Sequence, residues 1–248
     1  MRIGLLADLH SNREATEACL EALARAGCGR HAFLGDLVGY GADPEWMVDT
    51  VRRHVERGDV AVQGNHDAAV EDPAASSLHE QARAAIEWTR GRLDAEQRAF
   101  LRGLPLQVEE EDRLYVHANA WDPPGWSYLG TEQAALRSMN ATGQRLTFCG
   151  HVHEPALYFD SVVAGAATRF RPHPGVPIPL LSRRRWLAVT GSCGQPRDGN
   201  PAACCAWLDT DRRQLTFLRV PYDHERAAAR IRAAGLPDAF AQRLIGGG

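Results

Sequence analysis

The chain has 248 residues, a formal net charge of −3 and six cysteines, and 44% of its residues are hydrophobic. This composition is ordinary for a globular protein with a substantial core. The small negative charge argues against a protein that holds nucleic acids by bulk electrostatics. No apolar run approaches the ~18 residues that would indicate a membrane span.

The start of the chain and its cysteines bear on location. Met1 is followed directly by a strand-like run from Ile3 to Leu6, with no signal-peptide core or cleavage site. None of the six cysteines forms a C-x-x-C pair. We therefore expect small, buried thiols in a reducing compartment, and a cytoplasmic protein.

The first half of the chain alternates predicted strands and helices. The predicted strands are 2–7, 31–34 and 59–63, and the later predicted helices are 77–91 and 94–102. Ser11-x-x-Glu14 has the form of a capping box that opens the first helix. Asp43 is the expected cap of the second helix, which begins at Pro44. This order predicts a parallel sheet with right-handed crossovers.

The second half is dominated by short strands, which suggest a second, mixed sheet packed on the first. The predicted strands are 106–109, 113–117, 145–149, 156–160, 186–190, 203–208 and 214–220. One helix is expected at about 131–140, and the tail from Tyr222 to Leu244 reads as helical. Residues 171–185 are expected to form an exposed loop or hairpin tip. No repeat or linker interrupts the chain, so residues 1–248 are predicted to form one domain.

Five short segments carry carboxylates, imidazoles and one amide, and nearly all of them follow strand-like runs. They are Asp8-Leu9-His10, Gly35-Asp36, Gly64-Asn65-His66-Asp67, His117 and Gly150-His151-Val152-His153. Active sites of α/β folds lie where strands end and loops begin. Aspartate and neutral imidazole suit divalent Mn, Fe, Co, Ni or Zn. One aspartate can bridge two ions roughly 3.5–4 Å apart. The segments therefore predict a centre for two divalent metal ions, with Asp36 as the candidate bridge.

The order of these segments resembles the pattern D-x-H, G-D, G-N-H-[DE], H, G-H-x-H of the calcineurin-like metallophosphoesterase superfamily. The stretches 34–41 and 191–199 also resemble its small bacterial branch, which includes phosphodiesterases and diadenosine-polyphosphate hydrolase-like proteins. The resemblance implies an α/β sandwich, in which two mixed β-sheets pack face to face with helices outside, in four layers α/β/β/α. It also implies a hydrolase of phosphoric esters or anhydrides.

The resemblance also implies a role for each motif residue. Asn65, His117 and His151 would hold one ion, while Asp8, His10 and His153 would hold the other. A hydroxide that bridges the ions would attack phosphorus directly, without a phosphoenzyme. Asn65 and His66 would also contact the substrate, where His66 would either protonate the leaving oxygen or stabilise the phosphoryl group. Asp67 could hold the other ring nitrogen of His66.

Four further positions bear on substrate choice and loop shape. Trp126 and Tyr128, on the loop after His117, could stack on a nucleobase or could simply pack on the protein. Arg197 could clamp a phosphate, or it could pair with Asp198 or Asp209. Ala118 stands where the branch usually has glycine, and it would be strained if that position needed a positive φ.

The favoured function is hydrolysis of a small phosphorylated substrate of nucleotide type: a dinucleoside polyphosphate, a phosphodiester or a phosphomonoester. A Ser/Thr protein phosphatase shares the motifs and is the alternative enzyme. A nuclease is disfavoured by the charge balance, and no membrane partner is expected. A non-catalytic scaffold on the same fold is disfavoured because every ligand position is kept. The native metal and the oligomeric state stay open.

Overall fold

The computed structural model describes residues 1–74, 76, 78–160 and 165–248, and within them twelve strands form two sheets. The strands in chain order are β1 Arg2–Leu6, β2 Arg30–Phe33, β3 Val60–Ala61, β4 Gln107–Glu110, β5 Arg113–Val116, β6 Leu146–Cys149, β7 Ala156–Asp160, β8 Ala167–Phe170, β9 Ile178–Pro179, β10 Trp186–Val189, β11 Ala203–Asp209 and β12 Gln214–Val220. Each sheet has six strands, in the orders β3-β2-β1-β11-β12-β9 and β4-β5-β6-β10-β7-β8.

The described helices flank these sheets. They are α1 Arg13–Arg25, α2 Pro44–Glu56, α3 Asn65–Ala69, α4 Glu80–Arg92, α5 Ala95–Gly103, α6 Glu132–Asn140, α7 His224–Ala233 and α8 Asp238–Gly246, with a 3₁₀ turn at Pro123–Gly125. The predicted α/β sandwich of two mixed sheets is confirmed. No helix in the described ranges is both long and apolar enough to cross a membrane.

Successive residues of a strand point to opposite faces of its sheet. In this fold one face of each sheet packs against the other sheet, and the opposite face packs against helices. Leu5 faces the second sheet and shares a cluster with Tyr115 and Phe148. Its neighbour Leu6 faces outward into the cluster beneath α1 and α2. Strands buried on both faces read as continuous apolar runs, as β1 does.

The parallel pairing of several strands brings the predicted site residues together. β1, β2 and β3 run parallel, as the βαβαβ pattern predicts, and in the other sheet β6 runs parallel to both β5 and β10. The carboxyl ends of parallel strands lie at one edge of a sheet. The loops after β1, β2, β3, β5 and β6 therefore approach one another.

The predicted cap of α1 was wrong, and that of α2 is confirmed in position but not in its side-chain hydrogen bond. Asn12, and not Ser11, caps α1, because its Oδ1 accepts the Ala15 N–H at 3.1 Å. Asp43 occupies the position before α2, but its side chain makes no capping hydrogen bond. Instead its carboxylate accepts from Arg230 of α7 at 2.8 Å, which ties the C-terminal helices to the first sheet layer.

Several element boundaries also differ from the prediction. β3 has two residues, where a strand over 59–63 was expected. β8 was not predicted, and β9 lies within the expected loop 171–185, where Ile178 pairs with Leu215. The tail forms two helices, because Gly235 takes a left-handed φ of 73° after α7 and Pro237 follows it. Residue 77, the predicted start of one helix, lies outside the described residues, and α4 begins at Glu80.

Candidate metal centre

The seven predicted ligand residues converge at the carboxyl ends of the parallel strands. Asp8, His10, Asp36 and His153 form one group of potential metal ligands, and Asp36, His117 and His151 form a second. In each group the ligand atoms lie within 4.8 Å of one another. Among the described residues, Asp36 alone belongs to both groups, which is the position that a bridging carboxylate needs.

Five of these residues have left-handed backbone conformations. They are Asp8 (φ 52°), His10 (φ 47°), Asp36 (φ 51°), His151 (φ 67°) and His153 (φ 64°). Such conformations cost about 1–3 kcal/mol each for residues other than glycine, and they cluster at functional sites. They turn the chain sharply at the strand ends and aim the side chains inward. Gly35 (φ 85°) permits the same turn, and a Cβ there would lie 2.7 Å from His117 Nδ1.

The first group is built around two imidazoles whose tautomers are fixed by the backbone. His10 Nδ1 lies 3.1 Å from the Val38 carbonyl oxygen, and His153 Nδ1 lies 2.6 Å from that of Gln195. A carbonyl oxygen only accepts, so each Nδ1 carries the proton and donates it. The two Nε2 atoms are left with lone pairs, and they face each other at 3.1 Å.

A carboxylate oxygen lies near each of these two Nε2 atoms. Asp36 Oδ2 lies 3.7 Å from His10 Nε2, and Asp8 Oδ1 lies 3.6 Å from His153 Nε2. Burial lowers the pKa of both imidazoles well below the usual value, so both remain neutral. Neutral imidazoles and carboxylates whose lone pairs meet at one point fit a divalent cation.

The second group has the same construction. His117 Nδ1 donates to the Leu34 carbonyl at 2.8 Å. Its Nε2 lies 3.1 Å from His151 Nδ1, 3.2 Å from Asn65 Oδ1 and 3.4 Å from Asp36 Oδ2. Two imidazoles, an amide oxygen and a carboxylate oxygen thus fit a second borderline divalent ion.

The electrostatics call for positive charge beside Asp36. Burial opposes ionisation of Asp36, but the attraction of His117 and His66 outweighs it and holds the pKa of Asp36 well below its usual value. Burial likewise opposes the charge of His117, but Asp36 outweighs it and raises the pKa of His117 to about 9. Burial, with the charge of Asp36, raises the pKa of Asp8 to about 7. A proton on His117 or a divalent cation would each supply positive charge that stabilises the two buried carboxylates.

His66 lies beside these groups and not within them. It sits on α3, and its backbone N–H donates to Asp36 Oδ1 at 2.8 Å. Its ring lies 4.6 Å from that of Tyr40 and 4.9 Å from that of His10, centroid to centroid. Burial lowers the pKa of His66 to about 4. Its Nδ1 has no hydrogen-bond partner in the described part of the chain.

The expectation that Asp67 orients His66 was wrong. Asp67 Oδ1 accepts the backbone N–H groups of Leu37 at 2.9 Å and Val38 at 3.2 Å, and Oδ2 accepts that of Gly64 at 2.9 Å. Asp67 therefore ties the loop after β2 to the loop after β3. The ring of His66 instead lies over Gly39 (φ 93°), where a Cβ would come within 2.5 Å of His66 Nδ1.

A cleft of about 220 Å³ lies over the centre. Its lining includes Asp36, Asn65, His66, His151 and His153, together with Tyr40, His79, Trp126, Tyr128 and Arg197. All five predicted substrate-binding residues line this cleft: Asn65, His66, Trp126, Tyr128 and Arg197. Neither Tyr40 nor His79 belongs to the five motif segments, so the sequence pattern did not identify them as part of the site.

Arg197 is held towards this cleft without a carboxylate partner. Its Nη2 donates to Gln195 Oε1 at 3.1 Å, and its Nε is buried without a partner in the described ranges. Asp198 pairs with Arg171 and Arg219. Asp209 accepts from Arg2. Neither of the two expected structural pairings of Arg197 is present, so its charge faces the cleft.

The aromatic loop packs directly on the predicted ligands. Tyr128 stacks on His151 with ring centroids 4.1 Å apart, yet it is 60% exposed. Trp126 meets His117 edge to face at 5.7 Å. Each ring therefore packs on the protein, and each also lines the cleft.

Ala118 introduces no strain into this loop. It keeps a negative φ and is buried. The loop is shaped by Asn119, whose Nδ2 donates to the Ser127 carbonyl at 3.0 Å and whose Oδ1 accepts the Asp122 N–H at 2.9 Å. Glycine is not needed at position 118 in this chain.

Comparison with known proteins identifies the family to which the chain is similar. Residues 1–213 match the family model of the calcineurin-like phosphoesterase superfamily domain. A metallophosphoesterase from Sphaerobacter thermophilus is 34% identical and superposes with a TM-score of 0.90, over 100% of this chain and 99% of that one. The uncharacterized protein MJ0912 of Methanocaldococcus jannaschii is 33% identical, over 98% of this chain and 97% of its own.

A more distant structure has the same fold. The hypothetical protein PH1004 of Pyrococcus horikoshii OT3 is 20% identical and superposes with a TM-score of 0.79, over 100% of this chain and 98% of that one. Together with the order of the motifs and their convergence in space, the family match and the 34% identical relative lead to one assignment. The chain belongs to the calcineurin-like phosphoesterase superfamily, whose members are hydrolases.

Proposed function

We propose that this protein is a two-metal-dependent phosphoesterase that hydrolyses small phosphate esters or anhydrides of nucleotide type. One observation carries the proposal: two groups of converging lone pairs share Asp36 at the floor of a cleft that Arg197 faces. When bound, two divalent ions would polarise the phosphoryl group and supply a nucleophile derived from water at neutral pH.

The chain's own residues would supply the remaining steps. The guanidinium of Arg197, free of a carboxylate partner in the described residues, would bind a non-reacting phosphate oxygen. His66 lies beside the ligands but outside their groups. The charge of a bound phosphate would raise the pKa of its ring, which burial lowers to about 4, and the protonated ring would then donate to the leaving oxygen. The exposed side of Tyr128 would accept a flat base against its ring.

The size of the cleft favours a small substrate. A space of about 220 Å³ suits a phosphoryl group with part of its leaving group. This supports a small-molecule phosphoesterase over a Ser/Thr protein phosphatase. A panel of monoesters, diesters and dinucleoside polyphosphates, assayed with Mn²⁺, would identify the substrate class.

We expect the protein to retain two divalent ions per chain after gel filtration, and we expect chelation to abolish hydrolysis. Buried Asp8 and Asp36, together with five neighbouring ligands, would hold the ions tightly. Elemental analysis and activity before and after chelation test this, with Mn, Fe, Co, Ni and Zn added back separately. Hydrolysis that continues in metal-free protein would refute the proposal.

Trp126→Ala and Tyr128→Ala should raise KM for a nucleotide substrate and leave a small synthetic ester nearly unaffected. Both rings line the cleft, and loss of one stacked base is worth about 1–3 kcal/mol, or roughly 5- to 150-fold in kcat/KM. Tyr128→Phe is the matched control, because it keeps the ring that covers His151. Equal losses on both substrates would show that the rings only support the metal ligands.

We also propose that residues 1–248 act as one domain and that the protein works in the cytoplasm. All six cysteines are buried and unpaired, which fits a reducing compartment. Limited proteolysis tests the first point, and cell fractionation tests the second.

A further inference from the structure

A second cluster of potential metal ligands lies at the opposite end of the first sheet. His31 belongs to β2, His54 lies in the last turn of α2, and Asp59 directly precedes β3. One ligand atom from each residue lies within 4.8 Å of the others. From His31 to Asp36 the chain covers five residues, or roughly 16 Å of extended strand, so this cluster is separate from the catalytic centre.

The donor atoms of this cluster meet at one carboxylate oxygen. Asp59 Oδ2 lies 3.2 Å from His31 Nδ1 and 2.6 Å from His54 Nδ1. Asp59 Oδ1 accepts the backbone N–H of His31 at 2.8 Å, which fixes the orientation of the carboxylate. The three side chains are between 9% and 18% exposed, so one side of the cluster is open to water.

The surroundings favour a cation. The His54 carbonyl accepts the N–H of Asp59 and that of Arg57 at the end of α2, where the helix dipole is negative. Asp59 supplies a full negative charge: burial opposes it, but hydrogen bonds from His31 and His54 outweigh burial and lower its pKa. The guanidinium of Arg30, the residue before His31, is engaged by the Gly58 carbonyl and by Glu110.

We propose that His31, His54 and Asp59 form a third divalent-metal site that takes zinc or a similar borderline ion. Each imidazole binds through Nδ1 and Asp59 through Oδ2, with water completing four positions. A neutral imidazole moves its proton from Nδ1 to Nε2, and a protonated one releases a proton to solvent. Zinc–ligand bonds of about 2.0–2.1 Å set tetrahedral donors roughly 3.3 Å apart. The pair His31–Asp59 already has this spacing, and the partly exposed His54 ring needs a small rotation.

Such an ion would stabilise the edge of the first sheet. It would tie the turn between α2 and β3 to β2. β3 has only two residues and leads directly to the segment that carries Asn65 and His66. The ion would therefore support the position of the catalytic segment without contacting it.

Zinc binding by the full chain tests this site independently of catalysis. Equilibrium dialysis against zinc alone should load His54→Gln with one ion fewer than wild type, since glutamine keeps a donor for Asp59 but removes the imidazole. His173→Gln, an exposed histidine outside both centres, is the matched control and should load like wild type. Zinc should also raise the Tm of His54→Gln less than that of wild type.

His31→Gln provides a second variant, and it should also lose one ion. Equal zinc content in wild type, His54→Gln and His31→Gln would overturn the proposal, as would a loss of one ion in His173→Gln. The result is a difference between variants, so it stands whether or not the catalytic centre holds two ions. If the third site does not exist, wild-type protein still hydrolyses phosphate esters. If the proposed hydrolysis is wrong, the wild type and His54→Gln still differ by one zinc ion.

Discussion

Asp36→Asn should lower kcat/KM by at least ~10²-fold, the usual loss when one group that stabilises transition-state charge is removed. In the described chain Asp36 alone joins both ligand groups, and it is buried. Asparagine keeps the shape and one acceptor oxygen for the His66 N–H but removes the charge that the two ions would share. The variant should therefore fold, bind less metal and lose turnover. Steady-state kinetics with Mn²⁺ and elemental analysis of the purified variant measure both effects.

Asp211→Asn is the matched control, because Asp211 is 80% exposed and pairs with the amino terminus far from the cleft. It should keep the wild-type rate and metal content. If Asp36→Asn also kept near wild-type turnover and both ions, another residue would have to bridge, and the shared position of Asp36 would have no catalytic meaning.

The sandwich could be predicted because its main strands are buried on both faces and therefore have clear apolar patterns. β1 and β6 are examples, and their residues Leu5 and Phe148 belong to one buried cluster between the sheets. β9 could not be predicted in this way. Its two residues, Ile178 and Pro179, pair with β12, a partner more than thirty residues away, and no local pattern specifies such a contact.

The ligand positions were predictable for a different reason. Residue type, order and strand ends together restrict the side chains that can meet at one edge of the sheets. The partners of those side chains were not predictable in detail. Asp67 looked free to orient its neighbour His66, but its carboxylate accepts backbone N–H groups about thirty residues away. The aromatic contact of Tyr40 with His66 likewise depends on the loop after β2.

His66→Ala should slow hydrolysis of esters with poor leaving groups by roughly 10²–10⁴-fold, the usual contribution of a general acid. The backbone N–H of residue 66, and not the ring, contacts Asp36, so alanine keeps that hydrogen bond. Both ions should remain bound. The loss should be much smaller for a nitrophenyl ester, whose leaving group departs as a stable anion without a proton. A plot of kcat/KM against leaving-group pKa, for wild type and variant, displays this difference.

The matched control for this prediction is His79→Asn, a second histidine of the same cleft. His79 caps α4 through its Nδ1, and asparagine preserves a capping acceptor. Its plot against leaving-group pKa should keep the wild-type slope, because His79 is exposed and belongs to neither ligand group in the described part of the chain. A steeper slope in His66→Ala alone would identify the proton donor. A variant that loses one ion, or that slows all esters equally, would instead show that His66 supports the metal ligands, and the acid would have to be sought elsewhere in the cleft.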